Sequence, residues 1–390
     1  MPDRPLVVNA TAIGRRPDGI TTYGVNLLKA LGRAGIDRPM TVVLTGDARG
    51  YHLEAALPAH ATVRWVTGAM SPARGTRGNL RRWLFANRLA WQHREAVVFG
   101  LSQIEAPLVG ARSVVMVHDL IPWLFRRAHP RQYCFYRHYL GRAVHHAAAV
   151  VTPSRATKAD VCRHYGVPPG RVHVIQHGSP VSPRDAPGRH GRGGYILWIG
   201  RPEPTKNLTA LLDAFQLIQS RTGARLVLAG EGTRAHPSAT GLCGEGHGRI
   251  RCLGPISEAE KIGLLDGAAV LVCPSLYEGF GFVTLEAMAR GCPVVAADTG
   301  ALPETCGDAA LYVDPRQPQA IADALLRVLG CPDVARDLVA RGAARVAAFT
   351  WQASVRAHVE VFDHVARLSA VGGSGHSRRR EVPVEADTVP

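Results

Sequence analysis

Short apolar runs, each followed by a stretch with helical spacing, recur from one end of the chain to the other. PLVVNA opens the series, and residues 21–31 (TTYGVNLLKAL) follow at helical spacing. MTVVLTG, ATVRWVTG, AVVFGL, SVVMVHD and VHVIQHG read as further strands. AAAVVTPSRATKADVCRHYG reads as a strand, a turn and a helix, with Ser154 placed to cap the helix. The apolar runs are continuous rather than alternating, so both faces of each strand must be covered. Strands of that kind, alternating with helices, predict an α/β fold built on parallel sheets.

The alternation breaks once. Residues 181–193 (VSPRDAPGRHGRG) are rich in Pro, Gly, Arg and Ser and have no periodicity, and 183–193 reads as a linker. The pattern then restarts with YILWIG, NLTALLDAFQLIQS and RLVLAG, and continues through RIRCLG, AVLVCPS, FVTLEAMAR, PVVAAD and AALYVD. Helical stretches at 316–330 and 333–348 close it. At about 100–200 residues per domain, this gives two doubly wound domains, 1–182 and 194–350. Residues 351–368 read as a last amphipathic helix, and 369–390 as a tail without apolar periodicity, expected to be disordered.

No run of about 18 apolar residues is present, and the N-terminus lacks the pattern of a secretory signal. The eight cysteines form no CxxC pair, so reduced thiols and a cytoplasmic protein are expected, with no zinc site. The net charge of +15 is lopsided: residues 1–182 hold 24 Lys+Arg against 9 Asp+Glu, and the remainder balances. An anionic partner for the first half accounts for the asymmetry.

In parallel sheets ligands sit beyond the carboxyl ends of the strands. After YILWIG comes Arg201-Pro-Glu-Pro-Thr-Lys206-Asn207, two cations on a loop that runs into a helix, which suits a diphosphate. Lys206 is one of only four lysines. After VLVCPS comes Glu278-Gly279-Phe280-Gly281-Phe282-Val283-Thr284-Leu285-Glu286. Its glycines allow close backbone approach, and an ionised Glu286 can accept from both hydroxyls of a ribose. Glu278 is placed to hold sugar hydroxyls.

This Glu-x7-Glu stretch, with GRPEPTKN before it and LAGEGT and IRCLGPIS between, resembles the retaining GT-B glycosyltransferases of family 4 over residues 195–315. The resemblance implies two Rossmann-like domains facing across a cleft. A nucleotide-sugar donor would lie on the second domain, with a glycan or lipid-linked glycan acceptor on the first. It implies that Arg201 and Lys206 bind the diphosphate, Glu286 the ribose and Glu278 the transferred sugar. Amides of residues 282–285 would face the phosphates, and the GEGT and CLGPI loops would line the base pocket. The helix from Trp351 would cross back to the first domain. No metal or other cofactor is implied, and no DxD-like motif follows a strand.

In the first half, the family's Gly-rich loop corresponds to residues 15–23, where Gly19 stands alone before Ile20. His118 takes the place of a neutral histidine beside the transferred sugar, and Asp119 is expected to cap a turn. The stretch APLVGARSVVMVHDLIPWLF resembles mannosyltransferases of surface-polysaccharide assembly, which favours mannose from GDP-mannose. Residues 78–94 mix Arg81, Arg82, Arg88 and Arg94 with Trp83, Leu84, Phe85, Leu89 and Trp91. A second basic cluster includes Arg126 and Arg127. Such segments suit an anionic membrane face or the acceptor. The competing readings are a nucleotide-sugar hydrolase or epimerase of the same fold, a dinucleotide oxidoreductase and a basic nucleic-acid-binding protein. No GxGxxG joins a strand to a helix, and no nucleic-acid-reading motif is present, so no nucleic-acid partner is expected.

Overall fold

The protein is described by a computed structural model over residues 4–183, 194–236 and 248–368. Most of the expected linker and all of the expected tail lie outside the described residues. Two sheets are present. The first contains β1 (Leu6–Asn9), β2 (Met40–Thr45), β3 (Ala61–Val66), β4 (Val97–Gly100), β5 (Ser113–Met116), β6 (Ala149–Thr152) and β7 (Val172–Val174). The second contains β8 (Tyr195–Ile199), β9 (Leu226–Ala229), β10 (Ile250–Gly254), β11 (Ala268–Cys273), β12 (Val294–Ala297) and β13 (Ala310–Val313). Their orders are β3-β2-β1-β4-β5-β6-β7 and β10-β9-β8-β11-β12-β13, with every pairing parallel.

Each sheet is buried on both faces, which is why its strands read as unbroken apolar runs. In the first, Leu6, Val8 and Phe99 pack with Leu27, Leu28 and Leu31 of the Gly19–Arg33 helix. Val7 and Val98 face the other way, onto Leu89 and Ala90 of the Gly75–Gln92 helix. In the second, Ile196 and Trp198 meet the Leu208–Ile218 helix, and Leu197 meets Leu285 and Met288. Burying one such side chain contributes about 1.5–3 kcal/mol.

Helix ends follow local chemistry. Asp18 caps the Gly19–Arg33 helix through Thr21 N–H (2.7 Å). Ser154 caps the Arg155–Tyr165 helix, which ends at Gly166 in the left-handed region. Prolines at the first position set the starts of the closing helices, Pro318–Gly330 and Pro332–Ala347.

The Trp351–Arg367 helix lays Val355, Val361, Phe362 and Val365 into the core of the first sheet. Tyr23 donates to His358 Nε2 at 2.8 Å, while His358 Nδ1 donates to Ser354 O at 2.8 Å. Phe362 packs 5.0 Å from Phe99. The last helix is therefore part of the first domain's core.

One expectation fails here. Cys252 is disulfide-bonded, so the cysteines are not all reduced. Its strand neighbours place it at a half-buried position of β10, and spacing along the chain carried no signal of a pair. Cys134, Cys162, Cys273, Cys292, Cys306 and Cys331 are free.

Candidate active site

Strand order reverses between β1 and β4 in the first sheet and between β8 and β11 in the second. Loops at such a switch point diverge and leave a crevice. The segments after β1, β5, β8 and β11 carry the residues that the sequence nominated for the donor site.

Lys206 ends a single tight turn, Pro204–Lys206, after β8. Asn207 follows in the left-handed region, φ 54°, where its amide donates to Pro274 O (3.1 Å) and Pro315 O (2.7 Å). That ties the loop after β8 to the loop after β11. Lys206 Nζ donates to Glu278 Oε1 at 2.6 Å, and Ser275 Oγ donates to the same oxygen at 2.7 Å. Burial opposes the lysine's charge, but Glu278 and the polar groups around it outweigh burial and hold its pKa above the ordinary value.

Arg201 lies outside this pair. Its Nη2 donates to Glu231 Oε2 at 2.9 Å, and Glu203 is 3.7 Å away. Arg16, from the first domain's loop, donates to the other oxygen of Glu231 at 3.2 Å. Two arginines from two domains thus share one exposed carboxylate. Such a contact is worth about 0–1 kcal/mol, so a diphosphate can displace it.

Gly281, φ 96°, turns the chain into the Phe282–Ala289 helix, whose first turn is Phe282, Val283, Thr284 and Leu285. Glu286 is buried one turn in, and its Oε1 accepts from Lys261 Nζ at 2.7 Å. Lys261 also pairs with Glu258 at 2.9 Å. Burial raises the Glu286 pKa and Lys261 opposes the rise. Sequence reasoning missed Lys261, although it is as rare as Lys206.

Gly279 is one place where the domains touch: a Cβ there would lie 2.1 Å from His118 O and 3.0 Å from Asp119 Cβ. His118 Nε2 is 2.9 Å from Leu101 O. A carbonyl only accepts, so Nε2 carries the proton and Nδ1 is the acceptor. Burial lowers the His118 pKa to about 4, so the ring is neutral near pH 7. Asp119 Oδ1 accepts from Ile121 N–H at 2.9 Å, the capping bond expected of it. Gly19 is the first residue of its helix, and a Cβ there would meet nothing, so packing does not require glycine at that position.

Two groups at the cleft, His177 and Glu105, gave no local signal. His177, 2% exposed, stacks on Phe282 (5.1 Å) and Trp351 (6.2 Å) and lies 4.5 Å from Tyr23. Its environment comes from four separate segments. Phe280 packs against the same ring at 4.6 Å. Glu105, 1% exposed, accepts from Thr11 Oγ1 at 2.6 Å, and burial pushes its pKa up to about 7 against the pull of Arg82.

The basic helix differs from its expected arrangement. It spans Gly75–Gln92, with Arg82 turned inward to Asn79 and buried, acted on by Glu105 and Asp18. Trp83 packs edge-on against Tyr139 at 4.7 Å, and Leu89 is in the core. Neither Arg82 nor Trp83 faces outward: Arg82 is buried and Trp83 packs on Tyr139. The outward face carries Arg77, Leu80, Arg81, Leu84, Arg88 and Trp91, with Leu80, Leu84 and Trp91 53%, 55% and 67% exposed. Arg126 and Arg127 are exposed. Among the described residues no cluster of three His, Cys, Asp or Glu could hold a metal ion. No described helix is long and apolar enough to cross a membrane.

Comparison with known proteins places both halves. Residues 17–182 match the model described as Glycosyltransferase Family 4, and residues 193–331 match Glycosyl transferases group 1. The O-antigen chain mannosyltransferase B of Escherichia coli is 30% identical over 291 residues, 70% of this chain and 76% of that protein. The MMP alpha-(1->4)-mannosyltransferase of Mycolicibacterium hassiacum is 31% identical over 230 residues, 57% of this chain and 55% of that one. Among solved structures, Anabaena HepE in complex with UDP and glucose superposes with a TM-score of 0.69 at 20% identity, covering 93% of this chain and 100% of that one. The sucrose-phosphate synthase of Thermosynechococcus elongatus gives 0.71 at 19% identity, covering 93% and 99%.

Proposed function

This chain belongs to the group 1, family 4 glycosyltransferases, and from that premise we propose that it is a retaining hexosyltransferase. It moves mannose from GDP-mannose to a glycan or lipid-linked glycan acceptor. The observation that carries the reading is Lys206, kept charged at the switch point of the second sheet and bonded to Glu278 at 2.6 Å. Mannose is favoured because both relatives named above are mannosyltransferases. HepE holds UDP and glucose, which makes a UDP-sugar the rival donor.

In this reading the diphosphate displaces Glu231 from Arg201 and comes to lie beside Lys206. The first-turn amides of the Phe282–Ala289 helix face it. Glu286 accepts from the ribose hydroxyls, with Lys261 holding its carboxylate in place. The bond from the sugar's anomeric carbon to the diphosphate oxygen breaks as the acceptor oxygen bonds that carbon on the same face. The acceptor's proton passes to the departing diphosphate. Lys206 and Arg201 stabilise the negative charge that builds there, which is electrostatic catalysis without a protein base.

Two measurements test this. GDP-mannose or UDP-glucose must raise the melting temperature, since a ligand of the folded state stabilises it by mass action. Stabilisation by neither overturns the donor site. Product from an α-linked donor must be α-linked by NMR, and a β-linked product overturns retention.

A further inference from the structure

The seam at Gly279 brings two carboxylates to opposite walls of the cleft. With no room for a Cβ, the backbone of the loop after β11 lies directly on the end of the loop after β5. The residues beside that contact are Glu278 on one wall and Asp119 on the other. Each has one oxygen committed: Glu278 Oε1 to Lys206 and Ser275, Asp119 Oδ1 to Ile121 N–H. Among the described residues the second oxygen of each makes no hydrogen bond within the protein. The two groups also act on each other, and the Glu278 charge raises the Asp119 pKa after burial has done so. Nearby, His129 Nε2 is buried without a hydrogen-bond partner. Unfilled acceptor capacity on both sides of a narrow seam calls for a ligand rich in donors and carrying no negative charge at that point.

We propose that Asp119 contacts the transferred sugar, its free carboxylate oxygen accepting from a hexose hydroxyl while Glu278 accepts from another across the cleft. Asp119 is then more than a turn cap. It is a sugar-specificity residue supplied by the first domain, so the donor's hexose is gripped only when both domains meet. The inference rests on the donor reading given above.

The test compares a nucleotide with its sugar conjugate on the full chain by calorimetry, using GDP against GDP-mannose and UDP against UDP-glucose. Asp119→Asn keeps Oδ1 for the Ile121 bond and removes the charge, and Asp119→Ala removes both. A hydrogen bond to a charged group is worth enough to change an affinity about tenfold or more. The ratio of conjugate Kd to nucleotide Kd is therefore expected to rise about tenfold in both variants. The nucleotide's own Kd should stay within about twofold. An unchanged ratio in Asp119→Asn overturns the proposal, as does an equal weakening of nucleotide and conjugate, the mark of a structural role. If the wild type binds neither pair, the donor reading fails and this inference fails with it.

Discussion

Lys206 and Glu278 show how one contact serves both stability and chemistry. The pair is partly buried, at 28% and 11% side-chain exposure. Removing one partner of a buried pair leaves the other charge stranded. Lys206→Ala should cost about 2 kcal/mol, the usual buried-pair figure discounted for the lysine's exposure. Adding Glu278→Gln should return part of that loss in urea unfolding, because the stranded charge is gone. Turnover should stay low in both, since the diphosphate still lacks its cation. A double variant that regained wild-type turnover would show that Lys206 acts only by neutralising Glu278. Lys206 stood out because lysine is scarce and the loop led into a helix. Lys261 did not, because it lies within a helix, Glu258–Gly267, rather than on a loop that follows a strand. His177 and Glu105 were illegible because their burial and partners come from segments far away in sequence.

Elements were easier to read than contacts between them. Strands were found from continuous apolar runs, and one helix start from Ser154, because these signals act within one turn. The Gly75–Gln92 helix was placed correctly, but its faces were not, since the aromatics divide between sheet and solvent. The loop from Glu278 to Gly281 makes an element-scale prediction. Gly279→Ala puts a methyl group 2.1 Å from His118 O and must push the two loops apart. A displacement of about 1 Å can cost on the order of 10²-fold in rate. We expect kcat/KM to fall by at least about tenfold, with nucleotide affinity within about threefold, since the proposed nucleotide contacts lie on the second domain. Wild-type turnover in Gly279→Ala would show that the seam opens freely during the reaction.

At the scale of the molecule, the domains meet through residues contributed by both. Glu304 of the second accepts from Arg155 N–H (2.8 Å) and Ala156 N–H (2.7 Å) at the start of a first-domain helix. Tyr277 bonds Asp160, and Arg16 shares Glu231 with Arg201. The charge excess of the first half has an outlet on the outward face of the Gly75–Gln92 helix, where arginines flank Leu80, Leu84 and Trp91. An amphipathic basic surface of that kind binds anionic lipid by apolar burial and charge together. The protein should float with phosphatidylglycerol vesicles and not with phosphatidylcholine, and should release at 1 M salt as the Debye length shrinks to about 3 Å. Leu84→Glu with Trp91→Glu should abolish flotation without lowering the melting temperature. Flotation unchanged by that pair would remove this face from membrane contact. Sequence alone determined the two α/β halves and their alternation of strands and helices, because apolar period and capping act over a few residues. Only the tertiary structure decided which carboxylate neutralises which lysine, which helix face meets solvent, and that Asp119 lies against Gly279. Those depend on distances between residues 25 to 160 apart in the chain, set by how two sheets fold and meet.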